Sequence, residues 1–435
     1  MCDVMLLRQL YFLGKVMRNQ WKSPEELKKL QEKKLRSLLR YVYEKNEFYH
    51  QLLRTHNLKP SDFETVDDIR KLPAVTRADM MDNYPHAIIS RGFEMSDCIK
   101  AATSGSTGQN LNLVYDVRTY EYYMAITYRN FAALGYKPWH KLAYTRYESF
   151  KIENQFYEKL GFTRRKFISV FTPLEEQVSM VKAFRPDAVT AYPSILIEWA
   201  KILRQKGEHI EIPVFIRSEA EILTKEARSL IEEVFQSPIY DEYGSAEFVQ
   251  FAWECKERGF HISCDSILLE FLDSEGEPVA PGEEGEILVT SLEAYAMPFI
   301  RYKINDRGVP LDGKCSCGRG LPLMKLVVGR DDDFIWLPNG DRVNPRMIIP
   351  FFELAPGVKE FRIVQEREDW IRVEIIAGPA FTDEVQKKLK NELYTVIKDQ
   401  NVEIQFEQCE EIPHGRHNRP RPIMSKVRKG ASNSG

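Results

Sequence analysis

The sequence predicts an α/β fold that ends in a small α+β unit, and three observations lead there. From about residue 100, short apolar runs alternate with longer amphipathic ones, the pattern of strands feeding helices. Past the acidic stretch Gly329-Arg330-Asp331-Asp332-Asp333 the pattern changes to strand, strand, helix, strand. A chain of 435 residues is also too long for one compact core, so two or three domains are expected.

At the N-terminus, Met5-Leu6-Leu7-Arg8-Gln9-Leu10-Tyr11-Phe12-Leu13 is apolar, but Arg8 and Lys15 interrupt it and no small-residue cleavage site follows. An amphipathic helix, docked on the body or lying loosely on a membrane surface, fits better than a signal peptide or a membrane span. Ser23-Pro24-Glu25-Glu26 opens a second helix with a capping serine, a first-turn proline and a glutamate placed for a capping box. Leu27, Leu30, Leu35, Leu38, Leu39 and Val42 give that helix one apolar face, so 1–100 reads as a mainly helical entry region. Leu142-Ala143-Tyr144, Ala188-Val189-Thr190-Ala191 and Val214-Phe215-Ile216 read as buried strands, with helices at 195–206 and 223–235 and a later strand at Glu286 to Leu292. In the last hundred residues, strands at 361–364 and 371–376 precede a helix at about 382–398 and a strand at 402–406. The acidic junction before them is where a hinge would sit, or a plain tether.

Composition narrows the function. With 43% hydrophobic and 29% charged residues the chain can bury a real core. Its 61 basic and 64 acidic side chains leave a net charge of -3, which gives no field for a polyanion, so nucleic acid is not expected as a partner. Seven cysteines, odd in number and without a framework, suggest the reduced thiols of a cytoplasmic protein. The most informative stretch is Thr103-Ser104-Gly105-Ser106-Thr107-Gly108-Gln109-Asn110. Hydroxyls and glycines in one turn bare several N–H and O–H donors to the oxygens of a polyphosphate, and the alternative is an ordinary Ser/Gly surface turn. Cys255, His261, Cys315 and Cys317 supply three thiols and an imidazole, enough for a tetrahedral structural zinc, with Cys264 as a rival ligand and reduced cysteines near a turn as the other reading. His140 and His209 stand singly and suit no catalytic triad.

The motifs taken in order resemble one family. The loop at 103–108 is followed by Tyr240-Asp241-Glu242-Tyr243-Gly244-Ser245-Ala246-Glu247, by Met297-Pro298-Phe299-Ile300-Arg301-Tyr302-Lys303-Ile304-Asn305-Asp306, and by Gly329 to Asp333. Phe48-Tyr49-His50, Leu72-Pro73-Ala74-Val75-Thr76-Arg77, Tyr192-Pro193-Ser194, Ala220-Glu221 and Cys315-Ser316-Cys317-Gly318-Arg319 complete the series. The whole resembles the adenylate-forming superfamily of acyl-CoA synthetases, and more closely its phenylacetate:CoA ligase branch with its capsule-cluster homologues. The resemblance spans roughly residues 20 to 430.

That resemblance implies a large multi-sheet N-terminal adenylation domain over 1–329 and a small mobile C-terminal α+β domain over 330–435. It implies ATP and Mg²⁺ as cofactors, a small carboxylic acid as substrate, CoA as co-substrate and a homodimer among the partners. Thr103, Ser104, Gly105, Ser106, Thr107 and Gly108 would cradle the leaving phosphates, and Tyr243, beside Gly244 and Ser245, would stack on adenine. Glu247 would hold Mg²⁺, Asp306 and Arg330 would bind the ribose, Asp332 would be the hinge, and Tyr192 and Ala220 would line the acid pocket. One departure stands out. Where the superfamily has an adenylation lysine, this chain has Arg419 (or Arg416, aligned on the glycine), with Lys426 further on as a substitute. The basic run from Arg416 to Lys429 then suits phosphate or CoA. Besides the ligase reading, a nucleotidyltransferase on the same fold and a catalytically weak AMP-binding scaffold remain open.

Overall fold

The computed structural model describes residues 2–102, 111–146, 158, 161–327, 334–339, 342–343, 348–353, 355–399, 401–412 and 422–427. Helices α1 (Cys2–Asn19), α2 (Pro24–Lys45), α3 (Glu47–Thr55) and α4 (Arg77–Asp82) make up most of the first hundred residues. The capping box that opens α2 is formed: the Ser23 hydroxyl accepts from the Glu26 N–H, and the Glu26 carboxylate accepts from the Ser23 N–H. Its buried face carries Leu27, Leu35, Leu38, Leu39 and Val42. Helix α1 docks on the body, with Phe12 and Val16 against Tyr122, Ala125 and Ile126 of α5 (Val117–Ala133), while Leu7, Leu10 and Tyr11 face outward. Strands β1 (Ile99–Ala102) and β2 (Asn112–Tyr115) pair antiparallel with Ala102 opposite Asn112, so the strands that flank the hydroxyl-glycine run lie side by side.

The central sheet has eleven strands. Its parallel half holds β3 (Leu142–Arg146), β4 (Arg165–Ser169), β5 (Ala188–Ala191), β6 (Phe215–Glu219) and β7 (Ile239–Tyr243). Its antiparallel half holds β8 (Ala252–Glu254), β9 (Phe260–Ile262), β10 (Ile267–Leu272), β11 (Gly285–Ser291), β12 (Tyr302–Leu311) and β13 (Leu323–Val327). The spatial order is β10-β11-β12-β13-β9-β8-β7-β6-β5-β3-β4. Strand alternation sorts the parallel half into two faces. Val189 and Ile216 bury against α6 (Leu174–Phe184), α7 (Pro193–Gln205) and α8 (Lys225–Phe235), whereas Leu142, Ala188, Phe215 and Tyr240 bury against Phe131 of α5. This double covering is what the near-continuous apolar strands predicted.

Beyond the short pair β14 (Ile335–Trp336) and β15 (Arg342–Val343) and helix α9 (Ile349–Glu353), a separate four-stranded sheet is built from β16 (Val358–Arg367), β17 (Trp370–Ala377), β18 (Glu403–Gln408) and β19 (Ile423–Ser425). Its order is β18-β17-β16-β19, with α10 (Asp383–Ile397) packed on it through Leu389, Leu393 and Ile397. Two strands, a helix and a strand stand where the sequence pattern puts them. The fourth strand, β19, escapes it because three residues are too few to show a period.

Candidate active site at the strand ends

In an open parallel sheet, ligands are taken up at the carboxyl ends of the strands, where the loops diverge. Tyr192 directly follows β5, Ala220 follows β6, and Gly244 to Glu247 follow β7. Ala220 has φ +64°, a left-handed conformation that alanine adopts only under constraint from its surroundings. The turn it makes lets the Glu221 carboxylate accept the Ser194 N–H at 3.0 Å, which ties the end of β6 to the start of α7.

The loop after β7 folds back sharply. The Val249 N–H donates to the Ser245 carbonyl at 2.8 Å, and a Cβ on Gly244 would lie 2.0 Å from the Val249 carbonyl oxygen, so only glycine fits there. The Ser245 hydroxyl is buried and has no hydrogen-bond partner among the described residues. Glu247 is 8% exposed, with the Tyr302 hydroxyl 3.5 Å from its Oε1, and the Tyr115 hydroxyl donates to the carbonyl of Ala246 beside it.

Tyr243 and Asp306, 63 residues apart, meet here: the phenol donates to Asp306 Oδ2 at 2.7 Å. The Tyr243 ring packs on Phe251, with centroids 4.7 Å apart. Asp306 reaches the site because β12 bulges. Lys303 pairs with Leu288 and Arg307 with Glu286, and Asn305 within the bulge has φ +60°. The bulge turns Asp306 toward the end of β7.

A buried charge network, missed in the sequence, lies beneath these ends on the α5 face. Arg217 is held by Glu219 at 3.0 Å, by Glu242, and by the Thr190 hydroxyl at 2.7 Å, with its guanidinium 4.5 Å from the Phe131 ring centroid. Arg146, at the end of β3, pairs with Glu219 and lies 5.7 Å from the Tyr192 ring centroid. Burial pushes the Glu242 carboxyl above its ordinary range, and the pull of Arg217 opposes that rise without cancelling it. The signal was present as charges at alternate positions inside the apolar run Phe215-Ile216-Arg217-Ser218-Glu219.

The loop Thr103 to Gly108, Arg330, Asp332, Arg416 and Arg419 lie outside the described residues. Lys426 is described. It follows β19, is half exposed, and its ammonium pairs with Glu366 at 3.1 Å on its own small sheet.

A second site gathers Cys255, His261, Cys315 and Cys317, whose ligand atoms all lie within 4.8 Å of one another. Cys255 Sγ is 3.6 Å from Cys315 Sγ, and Cys317 Sγ is 3.2 Å from His261 Nε2. His261 Nδ1 donates to the Leu321 carbonyl at 3.1 Å, which leaves the Nε2 lone pair toward the thiols. Gly259 makes room: a Cβ there would meet Cys315 Sγ at 2.6 Å. Burial lowers the His261 pKa to about 4 and pushes Cys255 up to about 12. Arg319 braces the cluster from behind, donating to the Gln20 side chain at 2.8 Å with its guanidinium 4.9 Å from the Trp21 ring centroid. Cys264, the rival ligand, is buried outside this group, and Cys98, Cys255, Cys264, Cys315, Cys317 and Cys409 are free thiols.

No family model matches the chain. It is 28% identical over 387 residues to the phenylacetate-coenzyme A ligase of Thermus thermophilus, an alignment covering 85% of this chain and 86% of that protein. Over most of its length the chain is similar to phenylacetate-coenzyme A ligases. It is also 25% identical over 405 residues to Protein CapK of Staphylococcus aureus, across 89% of the chain and 87% of that protein. Its fold matches a 2-hydroxyisobutyryl-CoA ligase solved in the postadenylation state in complex with R3-HIB-AMP, with a TM-score of 0.76 at 18% identity, over 94% of this chain and 91% of that one.

Proposed function

We propose that the protein is an ATP-dependent ligase that activates a carboxylic acid as its acyl-adenylate and passes the acyl group to CoA. The observation that carries this reading is the meeting of Tyr243, Asp306 and the Glu247 loop at the carboxyl end of β7, in a chain similar to ligases of that kind. In the first step a carboxylate oxygen attacks the α-phosphorus of ATP and pyrophosphate leaves. In the second the CoA sulfur attacks the acyl carbon and AMP leaves. The Asp306 carboxylate would accept from the ribose hydroxyls, Tyr243 holds that carboxylate in place, and the Ser245 hydroxyl is available to the nucleotide. The loop at 103–108 and Arg330 complete the nucleotide site, and Tyr192 and Ala220 border the acid. Arg419, with Lys426 as the alternative, supplies positive charge in the first step. The boundary at 329/330, with Asp332 as hinge, lets the small unit turn between the two steps.

Two metals fit these residues. Glu247 offers one carboxylate for Mg²⁺, which binds through one or two carboxylates plus substrate phosphates and neutralises phosphate charge. The thiol-imidazole cluster fits zinc, since ligands about 2.0–2.3 Å from a tetrahedral ion are separated by distances close to those observed. An odd number of cysteines without a disulfide framework supports a cytoplasmic setting, and no described helix is long and apolar enough to cross a membrane.

The test is pyrophosphate release with ATP and a panel of carboxylic acids, with and without CoA. Acid-dependent pyrophosphate and CoA-dependent AMP are the expected products. Arginine in place of the superfamily's lysine favours a second reading, an AMP-binding scaffold. Nucleotide binding without pyrophosphate release from any acid would decide for that reading.

A further inference from the structure

We propose that helix α1 carries a second face, opposite the one docked on the body, that lays the protein on the surface of an anionic lipid bilayer. The inference is independent of the ligase reading. Phe12 and Val16 hold the helix against Tyr122, Ala125 and Ile126 of α5, Arg8 pairs with Glu121, and Asn19 donates to the Asp265 carboxylate at 3.1 Å. These contacts use one side. On the other, Leu7 is 67% exposed, Leu10 56% and Tyr11 61%. Their spacing of three and four residues gathers them in one stripe, which Gly14 and Arg18 continue along the helix. The stripe is open, since a Cβ on Gly14 would meet no atom within 4 Å. Single exposed apolar residues need no partner, but three side by side on a helix already anchored by its opposite face point to one.

Charge selects that partner. From Leu7 to Asn19 the helix carries Arg8, Lys15 and Arg18 and no acid, and Lys15 and Arg18 form no ion pair among the described residues. Lys22 follows in the turn beside Trp21, which is 56% exposed with the Arg319 guanidinium 4.9 Å from its ring centroid. The next acids in the chain, Glu25 and Glu26, belong to α2, where Glu26 is taken up by the Ser23 N–H and by Lys22. Apolar side chains followed by unpaired cations, with a tryptophan past the far end, suit acyl chains beneath phosphate headgroups. A protein partner fits less well, because three side chains fall far short of the roughly 800 Å² per partner that a stable protein interface buries. The chain as a whole is net -3, so the attraction belongs to this face and not to the overall field.

Flotation of the full-length protein with vesicles of phosphatidylcholine alone, or of phosphatidylcholine mixed with phosphatidylglycerol, tests this. Binding is expected to the mixed vesicles only, and it should fall as salt is raised. Leu7→Gln with Leu10→Gln should lower the partition coefficient at least about tenfold, and Lys15→Gln with Arg18→Gln by about 10- to 25-fold, near fivefold per cation. Both double variants should melt within about 2 °C of the parent, because Phe12 and Val16 still dock the helix. Equal binding to neutral and mixed vesicles, or binding to neither, overturns the proposal. Undiminished binding by a folded Leu7→Gln, Leu10→Gln variant also overturns it, by placing the membrane contact elsewhere. A parent that binds no vesicle but forms dimers that this variant loses would overturn it in favour of a second copy of the chain.

Discussion

Glu247→Gln separates a catalytic carboxylate from a structural one. In the fold, Glu247 is nearly buried, yet its one described side-chain contact is the Tyr302 hydroxyl at 3.5 Å, at the outer edge of hydrogen-bond range. Glutamine has the same shape and can accept from the same hydroxyl, so the stability change should stay within about 0.5 kcal/mol. In turnover, a lost carboxylate matters as a charge that a magnesium triphosphate needs. The loss expected is about 100- to 1,000-fold in kcat for pyrophosphate formation, or about 2.7–4 kcal/mol at 1.36 kcal/mol per decade. The assay pairs pyrophosphate release at saturating ATP and acid with a thermal melt followed by circular dichroism. Undiminished turnover would remove Glu247 from the mechanism. A melt lowered by more than about 5 °C with proportionate loss of activity would make it a structural residue.

Three further outcomes are expected. Protein purified without chelator should contain about one zinc per chain by elemental analysis, falling to a small fraction in Cys317→Ser, because three ligands leave the tetrahedral shell open; a metal-free parent of full thermal stability would refute the site. Gly244→Ala should weaken nucleotide binding at least tenfold in calorimetry, since a Cβ 2.0 Å from the Val249 carbonyl forces the loop open; unchanged affinity would mean that the loop shape is not used. Arg129→Met should cost about 3–5 kcal/mol in denaturant titration at pH 7, because Arg129 and Asp265 are fully buried partners at 2.8 Å. Burial alone would raise the Asp265 pKa, but Arg129 and Lys34 hold it below its ordinary value, so the pair stabilises the parent above about pH 4 and loses that contribution as pH falls through the lowered pKa. Without Arg129 burial raises that pKa instead, so the cost of the variant should shrink between pH 7 and pH 4, and a cost independent of pH would count against the pairing.

The parallel half of the sheet was legible because its strands are buried on both faces and so appear as uninterrupted apolar runs, as in Ala188 to Ala191. The antiparallel half was mostly hidden. Strands such as Ala252–Glu254 and Phe260–Ile262 are three residues long, too short to show a local period. In the site, Tyr243 and Asp306 were named from ordered motifs, but their hydrogen bond depends on a bulge in β12 that no residue pattern announces. The four zinc candidates were legible as residue types, whereas their gathering depends on β9 and β13 pairing at a single register, His261 opposite Leu323. Arg146 escaped because the end of a strand is where a charge is ordinarily solvated.

The N-terminal helices also set the timing of folding during synthesis. Lys34 of α2 donates to the Asp265 carbonyl, 231 residues later in the chain, and Asn19 at the end of α1 donates to the Asp265 side chain. At a ribosomal pace of about 5–20 residues per second, Lys34 waits roughly 12 to 46 seconds before Asp265 has been made. Helices α1 and α2 therefore make their hydrogen bonds to Asp265 only after most of the central sheet has been synthesised.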